Sequence, residues 1–280
     1  MTPTATATAV SAAAGQAVSV TAKVAAYQLR NALRSRWLLG YAAFFLLATD
    51  ALLRFGGDGT RAVISLTNVV LLVVPLVTIV FGVMYLYDAR EFIELLLAQP
   101  VSRPQLYRGL YAGLALPLAG AFVGGVGAPF LLHRALGAMP PGTLPTLLAV
   151  GVALTLAFTG LAFCIAVRSE DRVRGLGSAI ALWLGFAVLY DGLVLLLATL
   201  FADYPLERLL VGLTLANPVD LARVALLLRL DVSALMGYTG AVFEHFLGSA
   251  GGALLSLSAL SAWVVLPFLL GSRAFERKDF

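Results

Sequence analysis

The sequence predicts an all-α, polytopic membrane protein with six transmembrane helices. Three observations carry that prediction. Of 280 residues, 60% are hydrophobic and only 12% are charged, half of the roughly one quarter that a soluble domain carries. Several apolar runs reach the roughly 20 residues that cross a hydrocarbon core. The basic residues sit in short segments beside those runs. The net charge of +4 is therefore a topology signal rather than a nucleic-acid footprint.

The predicted spans are Trp37–Leu53, Val63–Tyr87, Gly109–Leu132, Leu144–Val167, Gly175–Leu200 and Ala250–Leu270. Pro75, Pro117, Pro129 and Pro267 fall inside them, where neighbouring helices can satisfy the freed carbonyls. Thirteen of the 19 Lys and Arg fall on one side of these spans. That side is expected to be cytoplasmic, with both termini on it and the chain in a bacterial inner membrane. Residues 1–19, rich in Ala, Thr and Ser and without a basic start, read as a disordered tail and a poor signal peptide. Residues 20–280 read as a single transmembrane domain.

Three segments outside the spans have structure of their own. Val20–Arg36 patterns as an amphipathic helix: Lys23, Tyr27, Arg30 and Arg34 form one stripe, and Ala22, Ala25, Ala26, Leu29 and Leu33 another. Such a helix suits the headgroup layer. Residues 88–108 read as a helical hairpin. Its first helix carries Arg90, Glu91, Phe92, Ile93, Glu94 and Leu96 and stops near Pro100, because proline cannot continue a helix interior. Its second helix starts at Ser102, with Gln105 at capping-box spacing and Arg103 between them. The apolar Phe92, Ile93 and Leu96, ringed by charge, have the composition of a contact surface.

The segment 201–249 is long but not polar. Asn217-Pro218-Val219-Asp220 is a helix start: Asn217 caps, Pro218 takes the first position and Asp220 sits in the positive first turn. The apolar run that follows, with Arg223 in it, is too short to span and reads as re-entrant or interfacial. With Met236 and Tyr238 further on, this segment is a candidate outer gate or partner surface.

Chemistry-bearing motifs are scarce. The two lysines, Lys23 and Lys278, are followed by Val24 and Asp279. A phosphate-binding loop needs lysine followed by Ser or Thr, so the chain alone is no P-loop ATPase. His133 and His245 lack a histidine partner at helical spacing, and no Gly-x-Ser-x-Gly elbow occurs. One Cys, two His and four scattered Met make no soft-metal ladder, so no metal site is expected. Cys164 reads as a small buried hydrophobe. Asp50 and Asp191 are the acidic residues in or near the spans, where an ionisable group is a functional candidate. The bland accounts are an ion pair with Arg54 for Asp50 and a packing hydrogen bond for Asp191. Gly177, Ala181 and Gly185, like Gly120 and Gly124, recur every four residues, which lets helices approach closely within a subunit or at a dimer seam.

Six spans, a basic N-terminal elbow, a hairpin after the second span and a re-entrant segment before the last resemble the ABC-2 type transporter permeases. EFIELLLAQPVSRPQLYRGLYAGLALPL, DRVRGLGSAIALWLGFAVLYDGLVLLL, DYPLERLLVGLTLANPVDLARVALLLRLDVSALMGYTGAVF and the closing FERKDF are similar to the NosY-like permeases of that family. The resemblance implies a non-catalytic subunit that pairs with a second copy of itself. It implies a cytosolic ABC ATPase that binds ATP and Mg, so that this chain holds no cofactor. Glu91 to Arg103 would contact that ATPase. Asp203 to Ser249 would be the gating segment or the one facing a partner, a periplasmic copper-handling protein in nitrous oxide reductase maturation. The alternatives are an ABC-2 exporter of another substrate, or a channel or carrier without an ATPase. Membrane lipid is an expected partner, and nucleic acid is not.

Overall fold

The computed structural model describes residues 21–31, 34–55, 59–133, 142–201, 207–229 and 250–278. All regular structure among them is helical: α1 (21–31), α2 (Arg36–Phe55), α3 (Gly59–Asp88), α4 (Arg90–Leu97), α5 (Arg103–Leu132), α6 (Thr143–Arg168), α7 (Arg172–Leu184), a π turn (Gly185–Leu189), α8 (Tyr190–Leu200), α9 (Glu207–Ala216), α10 (Pro218–Arg229) and α11 (Ala250–Arg277). Six of these segments are long and apolar enough to cross a membrane: α2, α3, α5, α6, the α7–α8 pair and α11. They match the six expected spans. The four prolines lie inside continuous helices. The predicted tail falls outside the described residues.

Side-chain contacts fix the order of the ends. Tyr87 at the end of α3 reaches Ser169 after α6, and Lys278 after α11 reaches the carbonyl of Val167. Asp50 near the end of α2 meets His133 after α5. The starts of α2, α5 and α7 and the ends of α3, α6 and α11 therefore share one end of the bundle, with α1 and α4. Both α8's end and α11's start lie at the other end. The pair α9–α10, bent by 114° at Asn217, consequently enters and leaves on that same side. It is re-entrant.

The core centres on α6, which packs on α3, α5 and α11, while α2 packs on α5. Close approach is set by glycine. Gly82 faces Ala162, Gly151 faces the ring of Phe122, and Gly125 faces the backbone of Ala42 and Leu46 and the Cβ of Phe45. None of these belongs to the spaced stripes of the sequence. Gly177, Gly185, Gly120 and Gly124 have open space where a side chain would stand, and Ala181 is exposed. The stripes are therefore not used for packing among the described residues.

α1 corrects an expectation. Its inward face is Val24 and Gln28, both buried, while Ala22 and Ala26 are exposed. Val24 rests on Gly109 and Gln28 on Gly113 of α5, and Thr21 Oγ1 donates to the carbonyl of Gln105. The missing side chains of α5 decide the face of α1. Lys23, Tyr27 and Arg30 stay exposed, as the basic stripe requires.

Candidate functional site

At the terminal-bearing end, α4 forms the hairpin. Ile93 is fully buried, and Phe92 and Leu96 pack half-buried against the core. Glu91, Glu94, Leu95 and Ala98 form the exposed stripe, at the i, i+3, i+4, i+7 spacing of one helix face. The expected contact surface is corrected in one respect. Its apolar centre turns inward, and the apolar side chain on the outer stripe is Leu95, 63% exposed. The spacing from Glu91 through Leu95 to Ala98 carried that signal. Ser102 does begin α5 in an extended conformation, but its side chain makes no capping bond. The helix start survives without the capping box because Gln105 and Leu106 donate to the Ser102 carbonyl.

Two of the hairpin's arginines, Arg90 and Arg103, are its anchors. The Arg90 guanidinium lies 4.5 Å from the ring centre of Tyr87 and donates to the carbonyl of Ser169 at 3.1 Å. Tyr87 OH donates to the carbonyls of Ser169 and Asp171 at 2.9 and 3.1 Å. Arg103 donates to the carbonyls of Glu276 and Lys278 at 2.8 and 2.6 Å. Tyr27 of α1 stacks on Phe92, ring centres 5.7 Å apart. Arg172 pairs with Asp88 at 3.0 Å. Movement of α4 is thus tied to the ends of α3 and α6 through Arg90, and the start of α5 to the end of α11 through Arg103.

At the other end, the re-entrant pair docks on the π turn. Asn217 is fully buried. Its Oδ1 accepts from Val219 N at 2.9 Å, the expected helix cap. Its Nδ2 donates to the carbonyl of Phe186 at 2.9 Å. The wider turn, in which Tyr190 N donates to the carbonyl of Gly185 five residues back, lets a backbone acceptor face outward. Phe186 stands fourteen residues from both Arg172 and Leu200, about 21 Å at 1.5 Å per residue. The Asn217 tip therefore reaches mid-depth. Tyr190 OH donates to the carbonyl of Leu213, and Trp263 Nε1 to that of Leu215. Sequence reasoning overlooked Phe186, Tyr190 and Trp263 here. Phenol and indole groups in an apolar span need acceptors, and that was the available signal.

Charge gathers beside the tip. Arg223 Nη1 lies 3.0 and 3.1 Å from the two oxygens of Asp191 and 2.9 Å from Asp220 Oδ1. Pro218 occupies the first position of α10 and Asp220 its first turn. The structure thus joins Asp191, expected to make a packing hydrogen bond, to the outer-segment candidates. Met236 and Tyr238 lie outside the described residues. Asp191→Asn should retain most transport-complex activity, because an amide still accepts from Arg223, which keeps Asp220. An inactive but folded Asn variant would show instead that the charge of Asp191 is used in the cycle. Asp50 is a separate cluster, 2.8 Å from Arg54 Nε and 2.7 Å from His133 Nε2. Among the described residues, no three His, Cys, Asp or Glu side chains gather as a metal site.

A sequence model of the ABC-2 family transporter proteins matches residues 22–280. The chain belongs to that family. Two ABC-2 relatives are alike over most of their length. A protein named "Probable ABC transporter permease protein NosY" from Pseudomonas aeruginosa is 28% identical over 269 residues, 89% of this chain and 93% of the relative. The protein of the same name from Stutzerimonas stutzeri is 26% identical over 281 residues, 91% and 97%. This chain is accordingly a multi-pass ABC-2 transporter permease subunit, similar to NosY.

Proposed function

We propose that this permease is the membrane half of an ATP-driven complex. Two copies pair, each seats its α4 hairpin on a cytosolic ABC ATPase, and the complex serves nitrous oxide reductase maturation with a periplasmic copper-handling protein. The single observation behind the ATPase contact is the exposed Glu91, Glu94, Leu95 and Ala98 stripe. It sits on a helix whose Arg90 holds the Tyr87 ring of α3 and the carbonyl of Ser169 after α6. A force on that stripe reaches the ends of α3 and α6 through Arg90. The open glycine stripe of α7 supports the pairing of two copies, since small residues left unpacked among the described residues suit a second backbone. The charge distribution supports a cytoplasmic hairpin and cytoplasmic termini.

The copper assignment rests on the NosY relatives and the shared segments. The chemistry of this chain is consistent with the partner, not the permease, holding the metal. Co-expression with a cognate ABC ATPase should yield a complex whose measured mass fits two permeases and two ATPases. A permease that purifies alone as a monomer from such cells would remove the reading.

A further inference from the structure

A groove of about 540 Å³ runs between α6 and α11, a volume within the roughly 300–1,000 Å³ of small-molecule sites. Its floor includes Cys164, Pro267 and Leu161, and its exposed rim Leu266 and Leu270. It extends along α11 from Ala259 to Leu270, about 16 Å at 1.5 Å per residue. That is half of the roughly 30 Å hydrocarbon core, the depth of one leaflet. Trp263 and Leu215 close the inner extremity at the tip of the re-entrant pair.

Arg168 lines the opposite extremity, at the polar end of the bundle. Two more cations stand beside it on the last carbonyls of α6. Arg168 donates to Cys164 O at 3.2 Å, Lys278 to Val167 O at 2.7 Å and Arg90 to Ser169 O at 3.1 Å. A helix C-terminus offers about half a negative charge. Arg168 and Arg90 meet carbonyls and the Tyr87 ring, with no carboxylate in contact among the described residues. Lys278 lies near both Arg90 and Glu170. Burial lowers its pKa first and the charge of Arg90 lowers it further, with Glu170 acting in the opposite sense.

We propose that this groove is a specific site for an anionic phospholipid of the bilayer, one acyl chain lying between α6 and α11 and the phosphate held at Arg168. Apolar length and charged mouth together select this occupant. A neutral apolar helix would satisfy the groove but not the Arg168 guanidinium at its mouth, whereas basic pockets between spanning helices bind anionic headgroups. The acyl terminus would touch Leu215 and Trp263, so occupancy supports the seat of the re-entrant pair.

The full-length chain, purified in mild detergent, should retain about one anionic phospholipid per chain by native mass spectrometry. Added phosphatidylglycerol should raise its unfolding temperature by several degrees, and phosphatidylcholine should not. Arg168→Gln should lose this headgroup preference. Ala262→Trp, which fills the groove, should lose the retained lipid. Leu266→Trp on the exposed rim carries the same test should the first variant fail to fold. The proposal is overturned if the wild-type chain retains no lipid or shows no headgroup preference. It is equally overturned if folded groove-filled variants keep their lipid, or change only their oligomeric state, which would make the groove a seam between copies.

Discussion

Reversing Glu91 and Glu94 together to Lys should leave the chain folded and inserted but strip it of its ATPase and of all activity in the complex. Both side chains are exposed on the outer stripe of α4, so the fold has little reason to respond. An interface that accepts two carboxylates meets two ammonium groups instead, and such like-charge contact costs several kcal/mol. A loss of about 3 kcal/mol weakens binding roughly a hundredfold. Co-purification from membranes and ATP-dependent activity are the measurements. The paired Gln variant, which removes attraction without adding repulsion, should fall between wild type and the Lys variant. Normal co-purification and activity of the double Lys variant would move the ATPase contact away from α4 and favour a carrier that works without one.

The second large effect is expected at Arg223. Arg223→Leu leaves Asp220 with a 12% exposed side chain beside Asp191, with no cation between them. Stripping one partner from a buried ionic set costs roughly 3–5 kcal/mol, and since Arg223 is 31% exposed the lower end, about 3 kcal/mol, is expected. The loss should appear as a lower unfolding temperature in detergent and faster protease cleavage around α9 and α10. Adding Asp191→Asn and Asp220→Asn should restore most of it, because the remaining groups are neutral. If the single variant is as stable as wild type, the three charges do not hold the re-entrant pair.

The six spans were legible because each must present an apolar surface for the thickness of a bilayer, a property of the segment alone. The Asn217 start was legible for the same kind of reason: cap, proline and carboxylate act within one turn. Facing was not. The inward side of α1 depends on the bare backbone at Gly109 and Gly113, more than eighty residues away in the chain. The hairpin shows both cases at once. The seven residues picked in α4 and α5 do lie together, but they divide into an exposed acidic pair, a buried apolar side and two anchoring arginines. Hydropathy cannot separate these roles, since a buried Ile93 and an exposed Leu95 differ only in helical phase. The tie between Asp191 and Arg223 was hidden by their separation, and the π turn leaves no composition signal at all.

That turn has a consequence for registration. Relative to an unbroken α-helix it inserts one residue, which rotates everything beyond it by about 100°. The first half of the fifth span is locked to α3 through Gly175 on Tyr87 and Trp183 on Leu72. The second half is locked to the re-entrant pair through Tyr190 and Asp191. The two halves thus keep different angular settings, and the π turn is the vernier between them. Were it to close into regular helix while α7 stays fixed, α8 would turn by about 100° and advance by about 1.5 Å, which would swing Asp191 off Arg223.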